Sequence, residues 1–303
     1  MNSKKNGARF KVVTKVKFDN RVIVITGGGR GIGAAYAKML ADHGAMVVVN
    51  EIDEDAGQSV AQEINARSGV AISNNYDVMQ PDSAQAIINH ALSEFGRIDA
   101  LICNAGFLRD KTFHKMSLNQ FQEVIDVHLM GAVYPIHAAW PFLRDQKFGR
   151  IVLTASASAL WGNFGQSNYD AAKLALVGLM NALKLEGANH NVLINTIAPL
   201  ARTRLSSDIL QNEDAKLLDP EQIAGLVSYL CSPQNTLSGE IFELGGGFVS
   251  RARLQRSVGT VGDMSNPNLV SEQLPSILAQ PTECNFQQAF DSIDQMMQAI
   301  RNA

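Results

Sequence analysis

The chain has 303 residues, 46% of them apolar, and a formal net charge of −3. That is enough apolar material for one large α/β domain or two small ones, and no apolar run approaches the roughly 18 residues a membrane-spanning helix needs. The small acidic balance gives no electrostatic reason to expect a nucleic-acid partner.

Only the first 17 residues are lopsided, with Lys4, Lys5, Arg9, Lys11, Lys15 and Lys17 and no acid before Asp19. Residues 1–17 are expected to be a solvated basic lead-in. An organelle-targeting presequence is the competing reading, and a secretory signal would need an apolar centre that is missing here. The last three residues, Arg301-Asn302-Ala303, do not form a peroxisomal tripeptide. Cys103, Cys231 and Cys284 are far apart and odd in number, which argues for a reducing, cytoplasmic setting and against a disulfide framework or a zinc site. The six histidines form no metal-spaced cluster, so no metal is expected.

From residue 21 to about 245, β-branched apolar runs alternate with helical patterns. The runs are 21–26, 45–50, 70–77, 98–104, 150–156, 192–198 and 239–244, and helix-length segments such as 34–43, 83–95 and 168–186 lie between them. Such alternation predicts seven parallel strands joined by right-handed helical crossovers, a doubly wound α/β sheet with helices on both faces. The runs are apolar nearly throughout, as strands buried on both faces are. After Gly245-Gly246-Gly247 the chain becomes more polar, with Pro267, Pro275, Pro281 and one helical pattern around 286–301. The expected organisation is a main domain over 18–247 and a C-terminal extension over 248–303 packed on it.

Between the first strand and the first helix stands Thr26-Gly27-Gly28-Gly29-Arg30-Gly31-Ile32-Gly33. Glycines at such a junction permit a tight turn, let the backbone approach a pyrophosphate and let helix and strand pack closely. The helix N-terminus offers the phosphates free N–H groups and partial positive charge. This is the arrangement of a Rossmann dinucleotide fold, and it points to Thr26, Gly27, Arg30, Gly31, Ile32 and Gly33 as cofactor contacts. Glu51 ends the second strand, where a carboxylate can accept from the adenosine ribose hydroxyls. With Asp53, Glu54 and Asp55 behind it, a 2′-phosphate is disfavoured, so the expected cofactor is NAD. Arg30 points the other way and leaves NADP open.

Tyr169 and Lys173 are four apart at the start of a helical segment, a spacing that puts both on one face. A tyrosine is a poor base at its free pKa of about 10. A lysine cation beside it stabilises the phenolate, and lowering the pKa to near 7 takes roughly 4 kcal/mol, which an ammonium together with a positive nicotinamide can supply. Ser156, at the end of the fifth strand, can hold the substrate oxygen on which charge develops. A Tyr/Lys pair alone is usually an ordinary surface pair; the serine and the upstream glycine turn give it meaning.

With these motifs on the page, residues 18–247 resemble the short-chain dehydrogenase/reductase family. The matching positions are the Thr26–Gly33 turn, Asp77 with Val78 after the third strand, Asn104-Ala105-Gly106, Ser156, Tyr169, Lys173, and Pro199 with Thr203. The resemblance implies that Asp77 contacts the adenine, Asn104 braces the cofactor site, Thr203 meets the carboxamide, and Lys173 also grips the ribose. The family usually carries glycine after the proline, and Leu200 stands here instead. A narrower likeness, to the dehydrogenase units of peroxisomal multifunctional enzymes, lies in Leu108-Arg109-Asp110, Val127-His128-Leu129, 162–169, 195–199 and 239–243. It implies NAD-dependent oxidation of a (3R)-hydroxyacyl-CoA to the 3-ketoacyl-CoA. The competing readings are a 3-oxoacyl thioester reductase, a hydroxysteroid or small-alcohol dehydrogenase, or a cofactor-binding regulator without turnover. The expected partners are a small-molecule or CoA-thioester substrate and a second copy of the chain, in a homodimer or homotetramer pairing through helices around 117–146 and 168–186; neither nucleic acid nor membrane is among them. His128 stands where most family members place an asparagine, and it reads either as a packed core residue or as a member of a proton path from Lys173.

Overall fold

The computed structural model describes residues 15–203 and 216–303. Most of the basic lead-in, residues 1–14, lies outside the described residues. By contacts the chain forms two compact units, one ending at Arg251 and one spanning Ala252–Ala303.

The first unit alternates strands and helices: β1 Val22–Thr26, α1 Gly31–Asp42, β2 Met46–Asn50, α2 Glu54–Ala66, β3 Val70–Asn74, α3 Pro81–Phe95 and β4 Ala100–Cys103. It continues with α4 Leu118–Ile125, α5 Gly131–Asp145, β5 Gly149–Thr154, α6 Ala157–Trp161, α7 Ser167–Gly187, β6 Val192–Pro199, α8 Glu221–Cys231, β7 Ile241–Gly245 and β8 Phe248–Ala252. The sheet order is β3-β2-β1-β4-β5-β6-β7-β8. Every pairing from β3 to β7 is parallel.

Side chains alternate across this sheet with period two. Ile23, Ile25, Val47, Val49, Ala100 and Ile102 form one core with α1, α2 and α8. Val24, Val48, Leu101, Ile151 and Leu153 are equally buried and point to the opposite face, where α3, α5 and α7 meet the strands. Both faces are covered, which is why the strands are apolar throughout. The strand order reverses between β1 and β4, and at such a switch point the crevice beyond the carboxyl ends of the strands is where ligands bind.

The sheet has eight strands, not the seven expected. Gly246 and Gly247 both take positive φ, 55° and 83°, which a two-residue hairpin needs. The glycine triplet therefore turns the chain back into an antiparallel edge strand, β8, instead of ending the sheet. In the second unit α9 Pro267–Leu278 accompanies the expected C-terminal helix, α10 Ala289–Asn302. Asn266 caps α9 through the Asn268 N–H, with Pro267 in its first turn. Neither helix holds a buried residue. This unit is tied by the Arg256–Cys284 bridge and by Arg256, which bonds Ser292 and lies over the Phe286 ring. Among the described residues no helix is long and apolar enough to cross a membrane, and no cluster of three potential metal ligands occurs.

Candidate active site

The glycine turn leaves β1 with Gly27 at φ 64° and Gly31 at φ 53°, backbone that favours glycine. A Cβ on Gly33 would lie 2.1 Å from the Gly27 carbonyl oxygen and 2.8 Å from Asn104 Nδ2. Only glycine fits there, so α1 begins pressed against the strand. Arg30 precedes α1 in extended conformation without a side-chain cap, and no acid lies in the first turn. An uncapped, acid-free helix N-terminus at the switch point suits a pyrophosphate, so these residues fit a dinucleotide. Asn104 holds the cradle in shape: its Nδ2 donates to the Thr26 and Gly27 carbonyls, and its N–H donates to Thr26 Oγ1. The Ala105 N–H shares that hydroxyl. Thr203 comes from the far side, its methyl 3.2 Å from where a Cβ on Gly31 would stand. Ile32, half-buried, packs on the core below.

Glu51 faces this turn. Its Oε2 accepts from the Gly29 N–H at 3.2 Å and its Oε1 from the Asp53 N–H at 3.3 Å. Arg30 is held by Asp53 at 2.7 Å, with both side chains nearly half exposed. The guanidinium that could favour a 2′-phosphate thus already has an acidic partner. Asp77 closes a tight turn by accepting from the Met79 N–H. Val78 beside it is buried, against Gly131 at the start of α5. Pro199 ends β6, and Leu200 continues the ladder by donating its N–H to the Leu244 carbonyl.

Ser156 lies just past β5 and caps α6, its Oγ accepting from the Ser158 N–H and lying 3.0 Å from Ser158 Oγ. Tyr169 and Lys173 rise from the first turns of α7, with Lys173 Nζ 5.6 Å from the centre of the Tyr169 ring. Nζ donates to the Thr154 carbonyl at 2.5 Å and is buried. The Ser156 side chain stands near the Tyr169 phenol, whose pKa it lowers. The three residues therefore meet at the carboxyl edge of β5. Burial pushes the Tyr169 phenol up to about 12, only partly offset by Ser156. It pushes the Lys173 ammonium down to about 7. The sequence expectation joins the lysine to a positive nicotinamide; with the lysine as the only such charge, desolvation outweighs an ammonium whose nearest acceptor is a carbonyl.

His128 sits in a single π-helical turn, Asp126–Met130, between α4 and α5. Such turns insert an extra residue and recur at functional sites. Its ring stands edge-on to Tyr169, centroids 4.9 Å apart. A Cβ on Gly106 would lie 2.1 Å from the His128 Cε1, so that glycine exists to admit the ring. Nε2 lies 2.7 Å from the Phe107 carbonyl. A carbonyl only accepts, so Nε2 carries the proton and Nδ1 a lone pair. Nδ1 is buried with no partner among the described residues. Burial and the nearby Lys173 hold the imidazole well below its usual range, hence neutral.

Other neighbours of Tyr169 are not identified by sequence reasoning. Gln166 is buried and donates to Asp110 at 2.7 Å while accepting from Asn163. Asn168 accepts from the Tyr169 N–H and donates to the Arg109 and Gln120 carbonyls. These bonds tie the 106–112 loop to the start of α7. Burial raises the Asp110 carboxyl, with Asp170 adding like charge. A polar run of Gln, Ser and Asn directly ahead of the tyrosine is the signal that could have pointed to this network.

Known proteins resemble this chain in sequence and fold. The family model described as short chain dehydrogenase matches residues 21–214. The peroxisomal hydratase-dehydrogenase-epimerase of Saccharomyces cerevisiae is 46% identical over 255 residues, 81% of this chain and 28% of that protein. The solved full-length peroxisomal multifunctional enzyme type 2 of Drosophila melanogaster superposes with a TM-score of 0.80 at 30% identity, over 95% of this chain and 50% of that one. A 7α-hydroxysteroid dehydrogenase, solved with NADH and 7-oxo glycochenodeoxycholic acid, gives a TM-score of 0.72 at 28% identity, over 77% and 96% of the two chains. The chain thus spans between about a quarter and half of the two multifunctional proteins. A glycine cradle at the switch point, a tyrosine and lysine converging on a serine, and a family match over most of the first unit lead to one conclusion: the chain belongs to the short-chain dehydrogenase family and is an oxidoreductase acting on CH–OH groups.

Proposed function

We propose that this chain oxidises a (3R)-hydroxyacyl-CoA to the 3-ketoacyl-CoA with NAD. The observation that carries the reading is the meeting of Ser156, Tyr169 and Lys173 beside the glycine cradle, together with the likeness to relatives named peroxisomal hydratase-dehydrogenase-epimerase and multifunctional enzyme type 2. Thr26, Gly27, Arg30, Gly31, Ile32, Gly33, Asp77, Val78, Asn104, Ala105, Gly106, Pro199 and Thr203 form the cofactor wall in this proposal. Glu51 takes the ribose hydroxyls, and Arg30, engaged by Asp53, does not recruit a 2′-phosphate. A dinucleotide held there would supply the acceptor for the C3 hydride and positive charge beside Tyr169.

The chain's own residues handle the oxygen and its proton. Ser156 Oγ donates to the substrate oxygen, and Tyr169 Oη takes its proton as C3 becomes a carbonyl carbon. A phenol raised to about 12 and a lysine lowered to about 7 are matched to that task only once further positive charge is close. Lys173 stabilises the phenolate as it forms. The His128 Nδ1 lone pair, buried beside Tyr169, is the acceptor through which a proton path from Lys173 would run.

A second reading, a hydroxysteroid dehydrogenase, is favoured by the likeness to the 7α-hydroxysteroid enzyme. NADH formation with (3R)- and (3S)-hydroxyacyl-CoAs and with hydroxysteroids, each with NAD and NADP, separates the two. The expected result is strong preference for the (3R)-thioester with NAD. Preference for a steroid, or for NADP, overturns the proposal. The three separated cysteines favour a cytoplasmic setting, whereas the relatives' names place them in peroxisomes.

A further inference from the structure

At the amino-terminal edge of the sheet, opposite the catalytic edge, lies a cavity of about 430 Å³ lined by Arg21, Phe148, Arg150 and Asn191, with Asn235 and Thr236. Arg21 precedes β1, Arg150 lies in β5, and Asn191 precedes β6. Both guanidinium groups lie 4.2 Å from the centre of the Phe148 ring.

The charges here do not balance. Arg150 is 2% exposed, yet all its acceptors are neutral: the carbonyls of Ser232, Gly149, Asn191 and Asn235 and the Asn191 side chain. Nη2 makes only the Asn235 bond, at 3.3 Å, so one of its two N–H groups has no acceptor among the described residues. The nearby acid, Asp99, is saturated. Its Oδ1 accepts from Arg21 and Arg97, and its Oδ2 from Arg97 and the Val22 N–H. A carboxylate offers about four lone-pair sites, so nothing is left for Arg150. Among the described residues the Arg21 side chain makes only that one hydrogen bond.

Two guanidinium groups thus take up the one nearby carboxylate, and the third, on Arg150, has neutral acceptors only among the described residues. Buried charges are ordinarily paired, because desolvating an unpaired ion is costly. Burial, with a smaller push from Arg21, brings Arg150 down to about 10, partly offset by Cys231. Planar guanidinium forks are suited to two oxygens of a phosphate or carboxylate.

We propose that this cavity is a second ligand site that binds a small oxyanion, such as inorganic phosphate or the phosphate of a larger molecule, between Arg21 and Arg150. Contact with the Phe148 ring, 4.2 Å from each guanidinium, helps fix their positions. The site is separate from the glycine cradle, which lies beyond the other ends of the strands.

The test is calorimetric titration of the full chain with inorganic phosphate, against chloride at equal ionic strength. Wild type is expected to bind phosphate with a dissociation constant at or below about 1 mM. Arg21→Gln should weaken that binding at least tenfold without changing turnover. Thr236→Glu, which sets a carboxylate at the rim and removes no described hydrogen bond, should abolish phosphate binding and raise the melting temperature in chloride. Phosphate indistinguishable from chloride in wild type overturns the proposal. So does binding unchanged in either variant, which would assign the phosphate to the glycine cradle.

Discussion

Burial acts on Lys173 and Tyr169 in opposite directions, and stability should record it. Lys173 has its pKa lowered from 10.5 to about 7. Between those values the unfolded chain holds a proton that the folded chain lacks, so stability from this site rises with pH across that window and is least below it. Lys173→Met, which keeps the stem and removes the charge, should melt higher than wild type near pH 6 while losing turnover. The difference should shrink as pH approaches 10; melting curves across that range check it, and a gap independent of pH would contradict it. At the neighbouring position, His128→Ala should cut turnover at least tenfold, roughly 1.4 kcal/mol of barrier, with NAD affinity retained. His128→Asn should recover much of it by restoring a donor and an acceptor. Equal activity of the alanine variant from about pH 6 to about pH 9 would leave the ring as packing against Gly106. At the cofactor end, the proposed preference for NAD over NADP in kcat/KM should narrow in Glu51→Ser, which removes the carboxylate that accepts from Gly29.

Elements built from local pattern are legible in the sequence. A strand–turn–helix order fixes what Gly27, Gly31 and Gly33 must do, and a four-residue spacing on a helix fixes Tyr169 beside Lys173. Gly33→Ala should accordingly lower both NAD affinity and melting temperature, because its Cβ meets the Gly27 carbonyl at 2.1 Å; calorimetric titration and melting give the two readings. What sequence does not reveal depends on contacts between distant segments. The turn carrying His128 has an ordinary helical composition, and the contacts of its ring with Gly106 and Tyr169 come from distant segments. β8 is hidden because three glycines resemble a domain end as readily as a hairpin. α9 is hidden because Pro275 inside it reads as a breaker. The tyrosine's raised pKa is invisible for the same reason: spacing locates the lysine, while only the fold shows how little water reaches the pair.

For the whole molecule, the parallel sheet separates two kinds of chemistry. The carboxyl edge gathers the glycine cradle, Ser156, Tyr169 and Lys173, and the amino edge gathers Arg21, Arg97, Asp99 and Arg150. Outside the sheet, Leu174 and Leu185 on α7 and Phe142 on α5 are each more than a third exposed. Apolar side chains on these two helices support the proposal of a homodimer or homotetramer, and light scattering at micromolar concentration should show at least a dimer. The central claim is that Tyr169 takes the proton while the dinucleotide cradle works independently of it. It is tested most directly by measuring NADH formation and NAD binding on the same preparation of Tyr169→Phe. The account predicts NAD affinity close to wild type and NADH formation lower by orders of magnitude; near-normal NADH formation in that variant would contradict it.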